Sequence, residues 1–226
     1  MAYFNSSKLP KPKKEFVCFI DIMGIQNTMQ HSLSNASNFI FKLHATLLEE
    51  WRKHSFNGFA IYPIMDGAYI TSNKKDDILQ FLSSVYLSLA NVLMSEDNYG
   101  HWYFVRAAIS YGEIIHGRDI PYDASYEFSS RVGHKESILI GQPIIWAYQT
   151  EGYAPPMGIY LHESCINKSY PISSDWKWFL KKPFDYHSFR EKVNNFYLYI
   201  QEHWDSTEYS REKQQEHLEK FNQYFS

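Results

Sequence analysis

Cysteine is scarce in this sequence: Cys18 and Cys165 are the only two among 226 residues. Two thiols cannot build a disulfide framework or an all-thiolate zinc site. Cys18 sits inside the apolar run Phe16-Val17-Cys18-Phe19-Ile20, where a free thiol serves as a small core residue. An excess of charge is missing too, because 22 Lys and Arg stand against 25 Asp and Glu, a formal net charge of −3. That balance offers no broad positive footprint, so a nucleic-acid partner is not expected. The first residues are polar and then basic, without a secretory leader pattern. No apolar run approaches the roughly 20 residues of a membrane span, so no membrane partner is expected and a reducing cytoplasm is the expected location. A Walker-type phosphate loop, a His-Glu-x-x-His zinc pair and a Cys-x-x-Cys pair are all absent.

What is present is globular. Hydrophobic residues make up 44% and aromatics 18% of the chain, enough for one sizeable core. Residues 1–14 form a basic, proline-broken leader, with Lys8 to Lys14 reading KLPKPKK. Residues 15–22 read as a buried strand, because their apolar run is continuous rather than alternating. Residues 35–55 read as a helix whose Ala36, Phe39, Ile40, Leu43, Leu47 and Trp51 fall on one face. Residues 58–64 and 67–72 read as a hairpin turning at Asp66-Gly67, with Pro63 marking an edge strand. A second helix is expected over 75–95, capped by Asn73. A long strand follows over 102–116, then a loop over 117–136, a short helix over 142–151 and a strand over 157–162. Two amphipathic helices close the chain, over about 186–203 and 208–224. The aromatic concentration in 170–204 reads as core or dimer contact, since no basic stripe accompanies it.

The order strand, helix, strand, strand, helix, strand is that of an α+β, ferredoxin-like (split βαβ) core with an antiparallel sheet and helices on one face. Right-handed crossovers put the first strand in the middle of that sheet, beside the second hairpin strand. Asp21, at the end of the first strand, and Asp66, in the hairpin tip, then arrive at the same sheet edge. Adjacent carboxylates repel, and a divalent cation held by Asp21, Asp66 and the Ile22 carbonyl relieves the conflict. Backbone amides of Met23, Gly24 and Ile25 would lie in the following turn, where they could cradle phosphate oxygens. Aspartate at a strand end or in a tight turn is also ordinary structural usage.

The surrounding motifs carry a resemblance. Phe19-Ile20-Asp21-Ile22-Met23-Gly24-Ile25, Met65-Asp66-Gly67, Arg106-Ala107-Ala108-Ile109-Ser110-Tyr111-Gly112-Glu113 and Ile140-Gly141-Gln142-Pro143 through Glu151 resemble, in order, the signature segments of class III nucleotidyl cyclases. They cover residues 16–151. The resemblance implies a cyclase domain over 15–165, with residues 166–226 as a C-terminal helical extension. It departs from the purine cyclases at three positions. Tyr62 stands where they carry a purine-selecting Lys or Glu, and Ile145 and Gln149 stand where they carry a transition-state Asn and Arg.

That combination is similar to the pyrimidine cyclases of bacterial Pycsar anti-phage systems. The resemblance implies conversion of UTP, or CTP, to the 3′,5′-cyclic monophosphate and diphosphate. It also implies two divalent ions, Mn²⁺ with Mg²⁺ as the other candidate, a homodimer with sites at the interface, and a separate effector that binds the cyclic nucleotide. Asp21 and Asp66 become the catalytic metal ligands and Tyr62 a base contact. Arg106 becomes either a phosphate or interface contact or a structural ion pair. Arg131, in the expected loop, is a candidate to supply the missing guanidinium from a partner chain. Two other classes remain open: a degenerate cyclase module that binds a nucleotide without turning it over, and a palm-like polymerase, which would need a positive channel.

Overall fold

The apolar run near the start of the chain forms the central strand of the sheet. The computed structural model describes residues 4–166, 175–202 and 210–226, and in it β1 spans Lys13–Ile22. The strand begins earlier than expected because Lys13 and Lys14 still pair with Ile114 and Glu113 of β4, Val105–His116. Between them come α1 (Ile25–His31), α2 (Leu33–Lys53), β2 (Ala60–Ile64), β3 (Gly67–Ser72) and α3 (Lys75–Ser95). The sheet order is β2-β3-β1-β4 with neighbours antiparallel, the split βαβ arrangement inferred from the element order. Two short strands extend it on β4: β5 (Leu139–Gly141) pairs antiparallel and β6 (Ile159–Leu161) pairs parallel. Pro63 sits in β2, the edge strand, as its missing N–H requires.

β1 is apolar throughout because its two faces serve two cores. Cys18, Ile20 and Ile22 join Ala68, Ile70 and Ile109 under α2 and α3. Val17 and Phe19 face the other way, into a smaller cluster with Tyr62, Tyr69 and Ile114. The long helices α2 and α3 pack on the first face, while the shorter α6 (Gln142–Thr150) covers part of the second through Ile144 and Ala147. Gly112 permits this approach, since a Cβ there would come within 2.9 Å of the Pro143 ring.

Three expectations are corrected. The helix expected from residue 35 begins at Leu33, and a separate α1 of seven residues precedes it. Ser32 divides the two: it is extended, and its Oγ accepts the Asn35 N–H at 3.2 Å. Asn73 does not cap α3; Lys74 occupies the cap position, and the Ser72 Oγ accepts the Lys74 N–H at 3.1 Å. Segment 117–136 is not plain loop, because it holds turns of 3₁₀ helix, α4 (Tyr126–Ser130) and α5 (Val132–Glu136). Helices of five residues are too short to show a hydrophobic period. The same segment ties down the basic leader through Lys8–Asp123 and Lys13–Asp119 ion pairs, both 2.7 Å.

α3 also revises the reading of apolar runs, since by length and composition it could cross a membrane. Its Ile78, Phe81, Leu82, Val85 and Tyr86 are fully buried in the first core, and the Tyr86 hydroxyl donates to the Gly158 carbonyl at 2.9 Å. The C-terminal elements α7 (Tyr186–Glu202) and α8 (Arg211–Tyr224) feed the same core through Phe189, Val193, Tyr197 and Phe221. Phe179 and Phe225 stack there at 4.5 Å. Trp178, Phe179, Phe189 and Tyr197 from the 170–204 aromatic concentration are therefore core; residues 170–174 and 203–204 lie outside the described residues.

Candidate active site

The hairpin and the end of β1 meet at one edge of the sheet. Ile64 pairs with Gly67, so the two turn residues are Met65 and Asp66, one position earlier than the expected Asp66-Gly67. The left-handed conformation falls on Met65, at φ 36°. Gly67 thereby becomes the first residue of β3 and lies directly opposite Asp21. A Cβ on Gly67 would collide with the Ile20 carbonyl oxygen and stand 3.2 Å from Asp21 Oδ1. Only glycine leaves room for the Asp21 carboxyl to lie over this strand.

Asp21 and Asp66 line one open cavity of 290 Å³, with Ile22, Gly24, Ile25, Gln26 and Asn27 completing its wall. Gly24 is in the left-handed region, at φ 75°, and starts α1. Ile25 is the buried first residue of that helix. Met23 behaves differently from its expected phosphate-binding role: its N–H already donates to the Phe104 carbonyl at 2.9 Å. The amide is therefore spent on holding the turn to the start of β4. Gln26 and Asn27, which the sequence had not singled out, join Gly24 and Ile25 instead.

The cavity is electrostatically frustrated. The Asp21 carboxyl is pushed up to about 8, first by burial and then by the neighbouring Asp66 and Glu151 carboxylates; Arg106 and a backbone hydrogen bond from Ile22 pull it back. Burial also raises Glu151, against the opposing influence of Arg106 and of a hydrogen bond with Asp21. Arg106 stands opposite Asp21 across the β1–β4 ladder, and its Nε donates to Glu151 Oε1. Of the two roles open to Arg106, the structure displays the ion pair. Glu151 itself had drawn notice only as the end of a helical segment. Its signal was being the first acid beyond that helix, a weak one without the register that places Arg106.

Tyr62 occupies the second core with 6% of its surface exposed. Its hydroxyl meets His116 Nδ1 at 2.5 Å, and His116 Nε2 lies 3.1 Å from Glu15 Oε1. A base could reach that hydroxyl only after the His116 contact opens. Ile145 and Gln149 project from α6, with Ile145 about half exposed, and Arg131 is exposed between α4 and α5.

A divalent cation fits the donors at the sheet edge. Among the described residues no group of three His, Cys, Asp or Glu side chains is arranged to hold a metal ion, and Glu151 is engaged by Arg106, so an ion here would rest on two carboxylates and main-chain oxygen. Those are hard oxygen donors of the kind Mg²⁺ and Mn²⁺ prefer. A cation would also offset the burial and the acid repulsion that together lift Asp21.

No protein-family model matches the sequence, and no curated protein matches it. Solved structures do. A double-mutant guanylyl cyclase domain of the RhoGC fusion protein from the aquatic fungus Blastocladiella emersonii superposes over 69% of this chain and 84% of its own, with TM-score 0.50 and 14% identity. A bacterial light-regulated adenylyl cyclase superposes over 69% of this chain and 79% of its own, with TM-score 0.54 and 13% identity. Another structure of a bacterial light-regulated adenylyl cyclase gives TM-score 0.53 at 13% identity, over 69% of this chain and 45% of that one. The fold is that of class III cyclase domains. Within that cyclase fold, Asp21 and Asp66 share the exposed sheet edge and α6 shields part of the face below it.

Proposed function

We propose that this chain is a metal-dependent pyrimidine nucleotide cyclase, converting UTP or CTP to the 3′,5′-cyclic monophosphate and diphosphate. The observation that carries the proposal is the convergence of Asp21 and Asp66 on one cavity beside the Gly24–Asn27 backbone. Asp21 and Asp66, with the Ile22 carbonyl, hold the divalent ions, Mn²⁺ foremost. When bound, such ions lower the pKa of the ribose 3′-hydroxyl and neutralise charge on the triphosphate. The chain's own part is positional. Gly24 and Ile25 form the wall against which the phosphates rest, and the half-buried carboxylates fix the 3′-oxygen on the side of the α-phosphorus away from the departing diphosphate. A new 3′-O–P bond forms, the bond to diphosphate breaks, and the hydroxyl proton passes to solvent.

Pyrimidine choice is supported by Tyr62 standing where purine cyclases place a Lys or Glu. UTP is favoured over CTP. Exposed Ile140, Ile145 and Tyr148 beside the second sheet face suit a homodimer with sites at its interface. The product would act through a separate cyclic-nucleotide-binding effector, as in anti-phage signalling.

Mass spectrometry of products from a four-nucleotide mixture with Mn²⁺, run beside Asp66→Ala, tests this. Cyclic UMP or CMP from the unaltered protein alone is the expected result. Intact triphosphates would favour a nucleotide-binding module, and a cyclic purine product would overturn the specificity.

A further inference from the structure

The second sheet face carries an aromatic shelf that begins two residues from the carboxylates. Phe19 precedes Asp21 by two positions on β1, so alternation turns both side chains to that face. Tyr69 pairs with Phe19 across the β1–β3 ladder, and the two rings meet at 4.9 Å. Tyr148 comes in from α6 and sets its ring 5.4 Å from Phe19. It lies near Tyr69 as well, because burial and then the neighbouring Tyr148 push the Tyr69 hydroxyl up to about 12. The rings differ in access: Phe19 and Tyr69 are 6% and 9% exposed, whereas Tyr148 is 62% exposed. Tyr62 shares the cluster, but its hydroxyl is spent on His116. Between the shelf and the hairpin tip, β3 offers only Gly67, directly opposite Asp21, so no side chain of that strand stands in the way.

Two residues of strand span about 7 Å, the scale of the ribose that separates a base from its α-phosphate. A nucleotide whose phosphates rest on ions at Asp21 and Asp66 can therefore lay its base on Tyr148, across the bare strip over Gly67. An exposed aromatic ring offers a base a flat π-face, a contact that adds affinity and tolerates base identity. We infer, resting on the cyclase reading above, that Tyr148 is the base-stacking residue of this chain and that Phe19 holds its ring in position. β1 then joins the two halves of the site, since it carries both the Asp21 carboxylate and the support of the stacking ring. Choice among bases falls to hydrogen-bonding groups, because stacking does not read the ring substituents.

Two ligands separate the ring from the carboxylates. Calorimetric titrations of the full chain with Mn²⁺ compare 3′-deoxyuridine triphosphate, which lacks the hydroxyl that would cyclise, with tripolyphosphate, which has no base. The unaltered protein is expected to bind the nucleotide about tenfold tighter than tripolyphosphate, the size of one base–aromatic stack. Tyr148→Leu keeps an apolar cover on Phe19 without a π-face; it should weaken the nucleotide about tenfold and leave tripolyphosphate unchanged. Tyr148→Phe should hold the nucleotide within about twofold of the unaltered protein. Equal nucleotide affinity in the Leu and Phe variants, or a loss in the Leu variant that accompanies a change in sedimented mass, overturns the stacking assignment; Mn²⁺-dependent tripolyphosphate binding would still uphold the carboxylate site. Failure of both ligands to bind the unaltered protein overturns the carboxylate site, and this inference with it.

Discussion

Asp21 and Arg106 stand opposite each other across the β1–β4 ladder, and the Arg106 Nε donates to the Glu151 carboxylate. Asp21 consequently lies among two other carboxyls, Asp66 and Glu151, with one guanidinium already committed to a neighbour. The arrangement keeps Arg106 in place while leaving three acids around one committed guanidinium. That is a poor state for an isolated protein and a good one for receiving a cation.

Glu151→Gln removes the carboxylate from a pair whose side chains are 22% and 9% exposed. Arg106 then keeps its charge in a mostly buried position without its partner. The expected loss is about 2–3 kcal/mol of unfolding free energy, below the range for a fully buried pair because Arg106 retains some solvent. Urea denaturation at neutral pH measures it, and a loss under about 0.5 kcal/mol, as for surface pairs, would show that the pair is incidental.

Asp21→Asn replaces the acid that burial and its acidic neighbours hold furthest above its ordinary range at this cavity. The metal-free variant should be more stable than the unaltered protein by on the order of 1–3 kcal/mol at pH 7, because folding the unaltered chain must protonate Asp21, whose carboxyl is pushed up to about 8, whereas a neutral amide takes up no proton. Mn²⁺ should raise the melting temperature of the unaltered protein and leave that of this variant unchanged. Greater stability together with lost Mn²⁺ response identifies a site shaped for binding at the expense of stability.

Tyr62→Phe deletes the hydroxyl that meets His116. A buried ring nitrogen left without its partner should cost about 1–2 kcal/mol. If Tyr62 also reads the base, the ratio of UTP to CTP turnover changes in this variant. An unchanged ratio with lowered stability assigns Tyr62 to the core alone.

His217 provides an acid-sensitive element. Burial first, then the Arg106 and Lys213 charges, lower its pKa from 6.5 to about 4, with Glu216 opposing and Lys220 adding to the shift. The unfolded chain takes up this proton near pH 6.5 and the folded one resists to about pH 4, so folding stability falls as pH drops through that window. The full shift corresponds to about 3 kcal/mol. Raised carboxyls at Asp21 and Glu151 act with the opposite sign, so the readout is the difference between the unaltered protein and His217→Gln. That difference should be nearly constant above pH 7 and shrink toward pH 4.

Much of the fold was legible because its signals are local. The continuous apolar run of β1 announced a strand buried on both faces, Pro63 announced an edge, and the helical period of 75–95 matches α3 to the residue. Four short elements were missed: α1, β5, α4 and α5 are each too short to repeat a pattern. The hairpin strands were recognised with the bounds that flank the turn, but Asp66-Gly67 was named as the turn pair where Met65 and Asp66 make the turn, because Asp-Gly is a common turn pair and here a methionine adopts the left-handed conformation.

By itself, the sequence determined the strand order, and strand order alone brings residues at the end of β1 and in the hairpin to one edge. Backbone chirality and hydrophobic patterning suffice for that, since both are carried by local residues. Tertiary structure decided everything that depends on register and packing. It set Arg106 beside Asp21 and in the grip of Glu151, spent the Met23 amide on Phe104, and turned Tyr62 into the core. Such contacts join segments far apart in the chain, and their strength depends on burial, which no residue's own neighbours in sequence disclose.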